Sequence, residues 1–421
     1  MTGLFGWGCK LLREDTILAR DYDPPRKDGR FLSTLGFKQH LLRSLKPRLA
    51  FDPGMNPERY QSWKQQVRGK LLDLMRFPEP PPQPPPKKLW AQPREGYRLE
   101  KWECYPETAS VVPFLMLIPD GVSETAPAPA VLCFPGSTQP KEWLAGEDDP
   151  WEGYPQRPHR DVNDMARQYA RAGMVAVAID NPGTGELVEQ PESLGPRGLG
   201  NGRIKLSQEL ICIGRHYVGL SAFQKKTILD WVKTVPFVRT DRIALSGHSL
   251  GTEPLMVLAV LDPDIAAVVS NDYAASQLFQ EQHLAPSNDD VNTRITIALW
   301  HTIPDFWLWL DLSELLAAIA PTPLLLTEGG HWTVLDHIRK AFAKAGAPDN
   351  LTVHHYPRYA EAEARVTDGK PMPYGLTLED YLTASNVDVP AHCFKGNVAV
   401  PWLKQVLGRD HAPQQNETPN R

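Results

Sequence analysis

Gly247-His248-Ser249-Leu250-Gly251 sets a hydroxyl nucleophile between two glycines. The run before it, Arg242-Ile243-Ala244-Leu245-Ser246, reads as a buried strand, and the run after it, Thr252-Glu253-Pro254-Leu255-Met256-Val257-Leu258-Ala259, reads as a helix. A strand, a tight turn and a helix make a nucleophile elbow, in which the serine stands in a strained backbone conformation at the edge of a sheet. Glycines on either side let the strand and the helix crowd the turn without a Cβ clash. Serine oxygen is a poor nucleophile until a base takes its proton, so the pattern calls for an imidazole from a later loop.

Twelve histidines compete for that role. His248 falls in the turn itself, His354 and His355 fall within a strand expected over Leu351 to Tyr356, and His331 and His337 flank the loop and helix after the preceding strand. His392 lies in Val387-Asp388-Val389-Pro390-Ala391-His392-Cys393-Phe394-Lys395-Gly396, a loop just ahead of the last helix, and is the candidate base. A carboxylate must then hold the imidazole in one tautomer and stabilise the imidazolium. Its usual place is the loop after the strand Pro323 to Thr327, but that loop runs Glu328-Gly329-Gly330-His331-Trp332 and puts Trp332 where an aspartate is expected. The end of the preceding strand, Ile265 to Asn271, delivers Asp272 instead. Asp272 is preferred over Glu328, with Asp336 third.

Acyl transfer also needs backbone amides aimed at the developing oxyanion. One is expected from Leu250 and a second from the loop Pro135-Gly136-Ser137-Thr138-Gln139, with Ser137 or Thr138 as the donor. Between Tyr273 and Pro321 lies an insertion holding Trp300, His301, Trp307 and Trp309, whose aromatic faces suit a sugar-stacking wall above the serine and equally suit the inner face of a cap helix. Arg215 at the pocket mouth and Trp332 complete the candidate substrate-binding residues, and Arg215 fits a structural role as well. No spacing of His and carboxylates suggests a catalytic metal site, and no cofactor is expected.

These groups need a scaffold. Tyr97 to Tyr105 and Val111 to Ile118 read as an antiparallel pair; Ala130 to Phe134, Met174 to Ile179, Arg242 to Leu245, Ile265 to Ser270, Pro323 to Thr327 and Leu351 to Tyr356 read as further strands. Helices are expected over Asp161 to Ala172, Ser221 to Val235 and Gly396 to Leu407. Strands alternating with helices imply right-handed crossovers and a mostly parallel α/β sheet with helices on both faces. Reactive groups then gather at the carboxyl ends of the strands.

The preceding segment is of another kind. Tyr60, Trp63, Val67, Leu71 and Leu72 recur at helical spacing and predict an amphipathic helix within an N-terminal helical extension, residues 1–76. A proline-rich stretch opens a linker at 77–94, a catalytic domain runs over 95–408 with a cap-like insertion at 273–321, and 409–421 read as a flexible tail. The stretch Phe77 to Pro86 is better suited to a stiff strut than to a recognition motif.

The 421 residues are 42% hydrophobic and 23% charged, with a formal net charge of -5, which suits a large globular core and leaves no basic footprint for nucleic acid. Cys9, Cys104, Cys133, Cys212 and Cys393 form no CxxC pair, and Cys133 and Cys212 read as core thiols. Lys10, Arg13, Glu14 and Asp15 interrupt the apolar residues Leu4, Phe5 and Trp7 before a leader could form, and no apolar stretch is long enough to span a bilayer, so a cytoplasmic location is expected. Oligomeric state stays open.

Five blocks in order carry a family likeness: Gly247 to Pro254, Ser270-Asn271-Asp272-Tyr273, His301 to Trp307, Leu326-Thr327-Glu328-Gly329-Gly330, and Asn386-Val387-Asp388 with His392 to Gly396. Together they resemble the acetyl xylan esterase-like branch of the α/β-hydrolases, over Glu95 to the end of the last helix. The chain is more distantly similar to dienelactone hydrolases and glucuronoyl esterases. The resemblance implies an α/β-hydrolase fold and a serine carboxylic-ester hydrolase acting on acetylated or otherwise esterified carbohydrate, with Ser249 as nucleophile and His392 as base. Its partner would be a small-molecule or oligosaccharide ester. Methyl or glucuronoyl ester hydrolysis and dienelactone hydrolase-like activity are the alternatives; a serine peptidase or an inactive carbohydrate-binding protein stands behind them.

Overall fold

The structure is a computed structural model that describes residues 26–156, 159–188, 199–285 and 298–408. Residues 1–25 with Cys9, part of the insertion and the expected flexible tail lie outside the described residues.

Nine strands form one sheet: β1 (Lys87–Arg94), β2 (Tyr97–Cys104), β3 (Val112–Pro119), β4 (Ala128–Phe134), β5 (Val175–Ile179), β6 (Val238–His248), β7 (Ala267–Asn271), β8 (Leu324–Leu326) and β9 (Leu351–Val353). Their order is β1-β2-β3-β5-β4-β6-β7-β8-β9. The first three strands and β5 join antiparallel, and every pair from β5 through β4 to β9 is parallel. This is the expected mostly parallel α/β sheet.

Alternation along the central strands divides the interior in two. Val175, Val177 and Ile179 of β5, with Ile243 and Leu245 of β6, join one core; Ala176, Ala178 and Ala244 join the other. Strands covered on both faces must be apolar at every position, which is why β5 reads Val-Ala-Val-Ala-Ile without a polar residue. The final helix Gly396–Gly408 closes the alanine side with Ala399, Leu403 and Leu407.

The helix predicted around Trp63 spans Pro57–Met75, with Pro57 at its first turn and the Asn56 side chain capping it. Its apolar stripe is Tyr60, Trp63, Val67, Leu71 and Leu74; Leu72 points outward, 51% exposed, because it lies one residue off the buried face. This stripe packs on the helices Tyr217–Val232, Thr252–Leu261 and Leu312–Ala318 and belongs to the same core cluster as β5 and β6. The extension therefore covers the sheet's helical layer.

Other differences are local. β1 begins at Lys87, inside the segment read as linker, because Lys87 to Arg94 pairs with Tyr97 to Glu103 as a hairpin whose outer face is solvated. Asp161 to Ala172 splits into a 3-10 turn at Arg160–Val162 and the helix Met165–Arg171. The last strand stops at Val353, which leaves His354 and His355 in the loop beyond it. Cys133 is buried as expected, but Cys212 is exposed, at the last turn of a helix Leu199–Cys212 that periodicity did not reveal. Within the insertion, Leu312–Ala318 is a fully buried helix started by an Asp311/Glu314 capping box, so this part is core. Among the described residues, no helix is long and apolar enough to cross a membrane.

Candidate active site

Register brings the reactive loops together. Phe134 lies opposite Gly247, Gly247 opposite Ser270, and Ser270 opposite Leu326, so β4, β6, β7 and β8 end at one level of the sheet. The loops that follow carry Ser137, Ser249, Asp272 and Glu328.

Ser249 has φ +51°, a left-handed conformation that non-glycine residues avoid. A Cβ on Gly247 would stand 2.6 Å from the carbonyl oxygen of Gly251, and one on Gly251 would run into the carbonyl of Phe134. Glycine at both positions is thus a packing requirement of the elbow. The helix Thr252–Leu261 follows at once.

His392 follows a 3-10 turn, Val389–Ala391, and its loop is pinned from two sides. The Asn271 amide donates to the Cys393 carbonyl at 2.9 Å and its oxygen accepts from the Lys395 backbone at 2.8 Å, while Asn163 accepts from the Phe394 backbone at 2.7 Å. The Nδ1–H of His392 donates to Oε2 of Glu328 at 2.6 Å. Tyr356 donates to that same oxygen at 2.6 Å, and the Lys395 ammonium donates to Oε1 at 2.8 Å.

The carboxylate hydrogen-bonded to His392 is therefore Glu328, read second from sequence, and not Asp272. Glu328, at the end of β8, occupies the Nδ1 side of His392, while Asp272 stands close by, with its carboxylate, that of Glu328 and the imidazole all within 4.8 Å of one another, and takes the Tyr273 backbone N–H. Asp336 is ion-paired with Lys340 at 2.5 Å. Trp332 does not displace the acid; it opens the helix Trp332–Lys344.

Burial alone would raise the Glu328 pKa, but the His392 hydrogen bond and the charges of His392 and Lys395 outweigh it and hold the carboxylate at about 2. Burial would lower that of His392; Glu328, through its hydrogen bond and charge, with help from Asp272, carries it up to about 9. Asp272 is pushed up to about 6 by burial. A divalent cation on this trio would have to displace the His392–Glu328 bond and sit near the Lys395 ammonium, so the donor set suits proton chemistry better than metal binding.

His248 stacks on His392 with ring centroids 4.6 Å apart, and burial holds its pKa well below the ordinary value. Its Nδ1 meets Gln139 Oε1 at 3.2 Å, an oxygen that also accepts from the Gly136 backbone at 3.2 Å. Asn181 donates to the Pro135 carbonyl at 2.7 Å, and the buried Arg203 guanidinium donates to the Ser137 carbonyl. The loop expected to supply an oxyanion amide is held from three directions.

Ser249 lines two cavities. One, of about 440 Å³, is bounded by Ser137, Thr138, His159, His248 and His392. Ser249 and His392 share this cleft without a hydrogen bond between them in this structure; such bonds often tighten only around substrate. The other, about 170 Å³, is bounded by Leu250, Glu253, Asp272, Gln277 and His301. His301 and Gln277 continue into a neighbouring apolar cavity with Phe306 and Trp307.

The remaining candidates separate. Arg215 makes a bidentate pair with Glu107, at 2.9 Å for each bond, and lines none of these cavities. Trp300 lies under Arg203, whose guanidinium carbon is 5.0 Å from the Trp300 ring centroid, and it does not line these three cavities. Lys395, Tyr356, Asn271, Asn163 and Glu253 were not singled out by sequence. Lys395 and Glu253 lay within the quoted blocks, but only contact shows their use; Tyr356 was hidden in an apparent strand.

A family model described as Abhydrolase family matches residues 20–405. The crystal structure of a protein described as a "putative acetyl xylan esterase" from Bacteroides fragilis NCTC 9343 is 37% identical, matches 91% of this chain and 98% of its own, and superimposes with a TM-score of 0.85. A glucuronoyl esterase from Solibacter usitatus (16% identity, 81% of this chain, 96% of its own, TM-score 0.51) and the methylesterase BT1017 (18%, 72%, 59%, 0.51) share the fold. No curated protein matches. With the elbow serine in place and 91% of the chain aligned to a relative of this identity, the chain belongs to the Abhydrolase family and has the α/β-hydrolase fold, as its five ordered blocks indicated.

Proposed function

We propose that this protein is a serine carboxylic-ester hydrolase that works through an acyl-enzyme on acetylated or otherwise esterified carbohydrate. The observation that carries the reading is the hydrogen bond of 2.6 Å between His392 and the buried Glu328, on a histidine that shares a cleft with the left-handed Ser249. Ser249 Oγ attacks the ester carbonyl while His392 takes its proton. Amides near Ser137 and Leu250 receive the negative charge on the carbonyl oxygen. The tetrahedral intermediate expels the alcohol, which leaves with the proton from His392, and water then cleaves the acyl-enzyme by the same steps in reverse roles. Glu328 holds the imidazole and stabilises its cationic form, with Lys395 and Tyr356 holding Glu328.

The acetyl preference draws on the relative of 37% identity, described as a "putative acetyl xylan esterase", rather than on the methyl- and glucuronoyl-esterase neighbours, whose identities of 18% and 16% speak to fold alone. Ser249→Ala is the test. Loss of such a nucleophile costs on the order of a millionfold in turnover, so p-nitrophenyl acetate hydrolysis should vanish. Undiminished hydrolysis removes Ser249 from the reaction.

A further inference from the structure

The smaller cavity beside Ser249 holds a carboxylate with half its hydrogen-bonding capacity unused. Glu253 stands four residues after Ser249, in the first turn of the elbow helix, and is only 7% exposed. Its Oε1 is occupied, meeting His301 Nδ1 at 2.6 Å and the Gln277 side-chain amide at 3.3 Å. Its Oε2 is buried without any hydrogen-bond partner. A buried carboxylate oxygen left unpaired is costly, and a donor entering the cavity that Glu253 lines would relieve that cost. Asp272 lines the same space and adds a second acceptor. The His301 and Gln277 bonds hold one end of the carboxylate, and the helix Leu312–Ala318, which packs on the elbow helix, puts Leu312 and Leu316 in the wall of the same cavity.

We infer that Glu253, held by His301 and Gln277, is a specificity-determining residue that reads a free sugar hydroxyl next to the ester. This rests on the esterase reading: an acetyl group has no donor to offer, so the donor must come from the alcohol portion of the substrate. The hydroxyl gives its hydrogen to Oε2, and the neighbouring Trp307 cavity receives the sugar's continuation. Hydrogen bonds from a ligand to a charged partner are the strong class, and a site built around one rejects analogues that lack the group.

The test compares kcat/KM for a monoacetylated xyloside bearing a free hydroxyl beside the ester with that for its deoxy counterpart. Wild-type enzyme is expected to favour the hydroxylated ester by about 10- to 100-fold. Glu253→Gln places an amide at the unpaired position, and Glu253→Asp withdraws the carboxylate by one methylene; each should reduce that preference to within about 3-fold, a change that a merely structural role would not produce. Absence of a preference in the wild-type enzyme, or its persistence in either folded variant, overturns the inference. The wild-type comparison stands even if both variants fail to fold. Ser249-dependent turnover of p-nitrophenyl acetate on the same preparations separates the outcomes: no such turnover sinks the esterase reading itself, whereas turnover without hydroxyl preference sinks only the role of Glu253.

Discussion

Nδ1 of His392 donates to Oε2 of Glu328 at 2.6 Å, and that carboxylate is itself fully buried between the Lys395 ammonium and the Tyr356 hydroxyl. Fixing Nδ1 as the donor leaves Nε2 with the lone pair, which is the nitrogen a serine proton must reach. Lys395 stands three residues beyond His392, so one short loop supplies both the imidazole and a countercharge for the carboxylate that it bonds.

Glu328→Gln should therefore lower kcat for p-nitrophenyl acetate by about 1,000- to 10,000-fold, the loss that follows when a triad acid is replaced by its amide and the imidazole loses its fixed tautomer. Asp272→Asn should cost no more than about 10-fold, because the Asp272 carboxylate faces His392 without bonding to Nδ1. Steady-state kinetics on the two variants ranks them; a larger loss from Asp272→Asn would return the acid to β7.

The same pair sets the pH dependence. His392 must be neutral to accept a proton, and Glu328 and Asp272 together raise its pKa to about 9. Activity should rise with pH up to that value. Removing the Asp272 charge takes away one of the influences that raise the His392 pKa, so Asp272→Asn should move the rising limb to lower pH, and a pH profile of kcat/KM reads the direction. An unmoved limb would mean that Asp272 is not ionised beside the imidazole.

The elbow turn, the loop that carries His392 and the parallel sheet are legible because each is written locally: Ser249 between Gly247 and Gly251, His392 before the last helix, and strand periods such as Val175 to Ile179. The carboxylate that bonds His392 is not. Asp272 and Glu328 end adjacent parallel strands, both within reach of one imidazole, and sequence carries no information on which carboxylate turns toward Nδ1. That choice is made by Tyr356 and Lys395, which are 28 and 67 residues from Glu328 in the chain. β1 was missed for a related reason. Its outward side chains follow a proline run, and its strand character comes from pairing with β2 rather than from its own apolar pattern.

Asn181 offers a separate test of the oxyanion loop. Its amide donates to the Pro135 carbonyl at 2.7 Å, and its oxygen accepts from the Lys225 ammonium at 3.0 Å, both within the buried interior. Asn181→Leu keeps the shape and strands the carbonyl, at a cost of about 1–3 kcal/mol in denaturant unfolding. Because the loop carries the proposed donor at Ser137, kcat should fall by about 10-fold or more with KM little changed, the pattern of an interaction lost mainly in the transition state. An equal change in KM alone would place the loop in ground-state binding instead.

Lys225 lies beneath that loop, donating to the Asp180 carbonyl at 3.2 Å and to Ser221 at 2.8 Å, and burial lowers its pKa to about 7. In the unfolded chain the same ammonium keeps its proton up to about pH 10.4. Between these values the unfolded state binds more protons than the folded one, so this lysine makes stability rise with pH, by about 1 kcal/mol per unit. His392 works in the opposite sense: its folded pKa is raised to about 9, so its contribution is full below its unfolded value of about 6.5 and is lost as pH climbs through 9. Lys225→Met removes the first effect and leaves the second. Chemical denaturation of the wild-type and variant proteins at pH 7.5 and pH 9.5 should show the wild type gaining on the variant as pH rises. A stability difference that does not change with pH would mean that Lys225 is charged in the folded protein, with its hydrogen bonds and the nearby Asp180 carboxylate offsetting its burial.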